Sequence, residues 1–140
     1  MKIALFVLLA GAALLAATGF TAEAGTVPAD DEMETYYVGL IYRGPAWTPD
    51  ETPEIAALQE AHLANIRRLA DSGKLVLAGP FIDGGELRGM FVFRVETLDE
   101  AAALCDSDPA VRAGRLRVEL HPWYSAKGIG IAPRAGGEAQ

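Results

Sequence analysis

Proton transfer near neutral pH falls most readily to histidine, and the chain has two. His62 stands in a stretch whose apolar residues recur with helical spacing. At about 100° per residue it shares a face with Leu58, Ile66 and Leu69, so it points inward rather than to water. Two readings fit an imidazole there. One is a buried structural ring satisfied by one or two hydrogen bonds. The other is a general acid or base at the floor of a cleft. His121, beside Pro122, reads as a residue of a strand edge or pocket rim.

A carboxylate partner would favour the second reading, because it holds the ring in one tautomer and raises its basicity. Asp71 follows nine residues later, about 180° around the helix, and faces away. Asp108 ends a second helical stretch before Pro109, where it can reach a neighbouring helix. Its plainer reading is a turn residue at a helix end. Asp106 is a less well-placed alternative. Gly79-Pro80 either lets the backbone approach a ligand or makes a turn. Tyr42 and Arg43 offer a phenol and an anion contact at a pocket rim, or serve structure alone. Cys105 lies among apolar residues and reads as packed rather than reactive.

Other chemistries lack their residues. No H-x-H, H-x-x-x-H or C-x-x-C spacing suits a metal. No phosphate-binding glycine loop and no serine elbow occurs, so no cofactor is expected.

The elements that would position these groups follow from pattern and punctuation. Tyr36 to Arg43 is a β-branched and aromatic run ended by Gly44-Pro45, hence a strand. A helix opens at Thr52-Pro53 and closes at Ser72-Gly73. Lys74 to Ala78 and Leu87 to Val95 are further strands. Thr97-x-x-Glu100 caps a second helix, which ends near Ser107-Asp108-Pro109, and Arg115 to His121 is the last strand. The order βαββαβ predicts an α+β, ferredoxin-like fold: an antiparallel sheet with two helices on one face. Met90 and Val92 oppose Phe91, Phe93 and Val95, and Val38 and Leu40 oppose Tyr37 and Ile41, so both sheet faces are apolar. Helices cover one face. A second copy is the expected cover for the other, which predicts a homodimer through the sheet.

Lys2, the apolar run from Ile3 to Ala17 and the pattern Ala22-Glu23-Ala24 predict a cleaved signal peptide over residues 1–24. The expected product is periplasmic or secreted, with no membrane span. Residues 25–35 read as a linker, 36–124 as the domain and 125–140 as a loose tail rich in glycine and alanine. A net charge of −7 disfavours nucleic acid and anionic membranes as partners. One cysteine permits no internal disulfide, so packing must hold the domain together.

Five short signals occur in order: His62-Leu63, Gly73-Lys74-Leu75, Ala78-Gly79-Pro80, Asp108-Pro109 and Pro122-Trp123. With them, the stretch from about Tyr36 to Gly128 resembles the YCII-related (YciI-like) family. The resemblance implies a dimeric α+β barrel and a site centred on a histidine and an aspartate, which fall here on His62 and, by placement, Asp108. The expected function is a cofactor-free acid–base enzyme, isomerase- or lactonase-like, acting on a small organic molecule. The alternative is a non-catalytic periplasmic dimer that binds a small ligand.

Overall fold

The computed structural model describes residues 29–130. The expected signal peptide and residues 131–140 of the expected tail lie outside them. Among the described residues, a 3-10 turn at Asp30–Glu32 leads into β1 (Met33–Arg43), α1 (Pro53–Asp71), β2 (Leu75–Pro80) and β3 (Leu87–Phe93). Then come α2 (Leu98–Asp106), α3 (Pro109–Arg112) and β4 (Leu116–Ala126). The sheet order is β2-β3-β1-β4, and every neighbouring pair is antiparallel. This is the ferredoxin-like α+β fold with one extra helical turn.

Local chemistry sets the helix ends where the sequence places them. The Thr52 hydroxyl accepts the Ile55 amide at 3.3 Å and Pro53 takes the first helical position, where a missing N–H costs nothing. Beyond α1, Gly73 adopts φ +74°, the left-handed conformation that ends a helix and favours glycine. The Thr97 hydroxyl accepts the Glu100 amide at 3.1 Å at the start of α2. Tyr37, Ile41, Leu75, Phe91 and Phe93 on one sheet face pack with Leu69 of α1 and with Ala101 and Cys105 of α2. Burial there pushes the Cys105 thiol up to about 12, so it stays protonated and packs as a small apolar group.

Several boundaries differ from the sequence reading. β1 begins at Met33, inside the expected linker, because Met33 and Glu34 pair with Ala126 and Ser125. β4 therefore runs through Pro122 into the expected tail. Pro122 is tolerated because β4 is an edge strand, where a missing amide need break no ladder bond. β2 likewise continues through Gly79 and Pro80 on the opposite edge, and β3 stops at Phe93. Asp108 does not close α2; it caps the separate turn α3.

The other sheet face carries Val38, Leu40 and Met90, all partly exposed, and Val92, which is buried. Its end near Tyr36 is covered by Trp123, with ring centroids 6.1 Å apart, and by the segment after β4. There the Ile129 amide donates to the Tyr36 hydroxyl at 3.1 Å, and Gly130 reaches Val76. No helix among the described residues is long and apolar enough to cross a membrane.

Candidate active site

α1 presents His62, Asn65 and Leu69 as its buried residues, one inward face at helical spacing. The turn between α2 and α3 brings Asp108 against that face. Asp108 is fully buried and His62 is 8% exposed, so neither charge nor ring nitrogen is screened by bulk water. His62 Nδ1 lies 2.9 Å from Asp108 Oδ1 and 2.8 Å from Oδ2. Asn65 Nδ2 donates to Oδ2 at 3.0 Å, and the amides of Ala110 and Val111 donate to Oδ1 at 2.9 and 3.4 Å. Pro109, lacking an N–H, starts α3 without an orphan donor, which leaves the next two amides for the carboxylate.

These contacts set the protonation state of Asp108. Burial disfavours the Asp108 carboxylate, but the hydrogen bond and charge of His62 and the bonds from Asn65 and Ala110 outweigh it. The carboxyl is held below its ordinary range. An ionised Asp108 only accepts, so Nδ1 carries a hydrogen, and in the neutral form of the ring the lone pair lies on Nε2. Among the described residues the one sealed, unpartnered side-chain nitrogen or oxygen is Arg43 Nε. His62 Nε2, which makes no hydrogen bond there, is therefore reachable from the cavity that His62 lines.

A stability consequence follows from the lowered carboxyl. A depressed folded-state value contributes stability that is complete above the ordinary carboxylate pKa and disappears as pH falls through the lowered one. The stability difference between wild type and Asp108→Asn, followed by denaturant titration, is expected to include the full carboxylate contribution near neutrality. Below about pH 4 it should shrink. A difference that fails to shrink below about pH 4 would contradict an ionised Asp108.

The cavity has a volume of about 300 Å³. Apolar walls come from Ile41, Leu63, Ile66 and Phe91, with the His62 and Phe91 rings 6.3 Å apart. Gly79 and Pro80 line it, as the sequence suggested. Across β2 and β3, a Cβ on Gly89 would sit 2.5 Å from the Gly79 carbonyl oxygen, so this wall closes only around glycine.

Tyr42 and Arg43 do not line the cavity, contrary to the sequence reading. Strand alternation puts Tyr42 on the opposite sheet face from Ile41, where the Arg117 guanidinium lies 4.2 Å from its ring. Arg43 donates to Glu86 at 2.9 Å and to the Gly84 carbonyl at 3.0 Å, outside the cavity wall. In their place the cavity is lined by Trp47, Gln59 and Arg88, which the sequence reading missed. Arg88 is the extra residue of a bulge: Ile41 pairs with Gly89 and Tyr42 with Leu87, so Arg88 faces no residue of β1. Bulges re-aim side chains in this way. Nothing in the residue pattern signals it.

Asn65 was also missed, though a signal existed: it stands three residues after His62 on the same helix face. Its carbonyl oxygen accepts from Arg68 at 2.6 Å, so a chain of donors runs from the exposed Arg68 to the buried carboxylate. Asp71 and Asp106 are exposed and take no part. His121 is 3.1 Å from Glu119 on the exposed edge of β4. Among the described residues no three His, Cys, Asp or Glu side chains converge as a metal site.

A ferredoxin-like α+β domain with a buried histidine–aspartate pair facing an apolar cavity is thus the class of protein the fold and site define. Residues 35–124 match the YCII-related domain, and the chain belongs to the YCII-related family. Among solved structures it is similar to the 5-chloro-2-hydroxyhydroquinone dehydrochlorinase TftG from Burkholderia phenoliruptrix AC1100, in complex with 2,5-dihydroxybenzoquinone. The identity is 23%, over 61% of this chain and 92% of that one, with a TM-score of 0.46. No curated protein matches the chain.

Proposed function

We propose that this protein is an acid–base enzyme that moves a proton on a small organic molecule without a cofactor. One observation carries the reading: both Asp108 oxygens hold His62 Nδ1 within 2.9 Å, while Nε2 is left for the cavity. His62 Nε2 takes a proton from a carbon or hydroxyl of the substrate. The imidazolium so formed is stabilised by the buried Asp108 carboxylate, and the proton returns to a different substrate atom or to a leaving oxygen. Isomerisation of an enol or opening of a lactone both follow from these two strokes. The largely apolar cavity walls supply surroundings in which the charge interactions act more strongly than in water.

The reading extends to assembly and address. A second copy covers the exposed apolar residues Val38, Leu40 and Met90 of the outer sheet face, a proposal supported by their position on one continuous surface. Export is supported by Lys2, the apolar run after it and Ala22-Glu23-Ala24.

The test is an exchange assay. A panel of small enols and lactones in deuterium oxide, followed by proton NMR, is expected to include members that gain deuterium or convert faster with the wild-type protein. A panel untouched by the protein would set the catalytic reading aside in favour of ligand binding alone.

A further inference from the structure

The cavity that receives His62 also carries a fixed positive charge. Among its lining residues Arg88 is the one Lys or Arg, and no Asp or Glu lines it. An arginine offers five N–H donors in a planar fork. The Arg88 side chain spends one nitrogen on the Gly85 carbonyl, at 3.2 Å, and makes no other hydrogen bond or ion pair among the described residues. The rest of the fork is available to a ligand.

The neighbourhood strengthens that charge. Three guanidinium groups surround the Trp47 ring: Arg115 at 4.5 Å from its centroid, Arg43 at 5.1 Å and Arg88 at 5.2 Å. The indole face attracts each cation, but the cations repel one another. Glu86 neutralises Arg43, whereas the Arg115 side chain donates only to the Thr48 carbonyl at 2.9 Å. Neither Arg88 nor Arg115 makes an ion pair among the described residues, although Asp50 and Glu51 line a neighbouring cleft together with Trp47 and Arg115. Of the three, Arg88 lines the cavity with Trp47, and no carboxylate in that lining competes for it, so an anion entering there meets an unpaired cation.

We propose that the cavity is built for a small organic monoanion, a single-ring carboxylate, held by the Arg88 fork beside the Trp47 ring. A volume of about 300 Å³ lies at the lower end of the range for ligand pockets, which suits one ring rather than a fused system. Planar carboxylates match the guanidinium with two parallel hydrogen bonds. The claim deepens the acid–base reading by naming the substrate class, and it rests on that reading only in supposing that the bound anion is what reacts at His62.

Binding can be tested without turnover. Benzoate and its neutral isostere benzamide are titrated into the full protein at millimolar concentrations, with binding read by NMR shifts of the Trp47 indole. Wild type is expected to prefer benzoate by roughly tenfold or more, the worth of a charge-assisted hydrogen bond. Arg88→Gln should lose the preference, Arg88→Lys should keep part of it, and His62→Gln should retain it. Equal binding of the two probes by wild type, or no binding of either, overturns the proposal. So does a preference that survives Arg88→Gln, or one lost in His62→Gln but kept in Arg88→Gln. Because no step of the assay needs proton transfer, a failed exchange assay and a failed anion site are distinguishable.

Discussion

Substituting His62 by glutamine is expected to lower kcat, on any compound the wild-type protein converts, by roughly 10²–10⁴-fold. Glutamine keeps an N–H that can reach Asp108, and its amide is close in size to the ring. The network through Asn65 and the α3 turn can therefore persist, with stability within about 1 kcal/mol of wild type. What glutamine lacks is a basic nitrogen. The amide neither accepts a proton from substrate near neutral pH nor returns one, so rate should fall while binding changes little. Steady-state kinetics beside a denaturant titration checks both halves. Unchanged kcat in a normally folded variant would remove His62 from the chemistry and leave the pair a structural feature of the helix contact.

Asp108→Ala is expected to act first on stability, with a loss of about 2–4 kcal/mol. The side chain is fully buried and accepts from His62, Asn65, Ala110 and Val111. Alanine strands the buried donors of His62 and Asn65 and leaves the α3 amides uncapped. In a domain of this size the loss corresponds to a fall in Tm of roughly 10–20 °C, measurable by calorimetry. Asparagine should recover part of it. Its carbonyl oxygen still accepts the Ala110 amide, and asparagine is a good N-cap, but its NH2 group opposes the donors of His62 and Asn65. A variant with Ala at this position as stable as wild type would mean that α3 does not depend on its cap. The contrast between the two substitutions separates the roles: His62 should cost rate at constant stability, and Asp108 should cost stability.

Local interactions made much of the fold legible. Thr52-Pro53, Ser72-Gly73 and Thr97-x-x-Glu100 are helix boundaries that depend on residues a few positions apart, and each stands where its chemistry places it. The alternation in β1 and β3 likewise gave the sheet's two faces and the core residues Tyr37, Ile41, Phe91 and Phe93. Strand ends were less legible. Met33 and Glu34 look like linker until Ser125 and Ala126 arrive beside them, and that pairing joins residues from opposite ends of the domain.

The candidate site divides along the same line. His62 on an inward helical face, and an aspartate before proline at the end of the next helix, were readable because helical period and turn chemistry are local properties. Asp108 was already preferred to Asp106 on placement; its role as cap to α3 needed the packed turn. Arg88 was out of reach of periodicity, since a single bulged residue breaks the alternation on which the prediction of faces depends. Tyr42 failed for a simpler reason: its place at the end of the first strand suggested a pocket rim, whereas strand alternation turns it to the face opposite Ile41. By itself the sequence determined the order of elements, the apolar faces and the one histidine turned inward. Only the tertiary structure decided which charges share the cavity with it, because that depends on register and backbone irregularities set by long-range pairing.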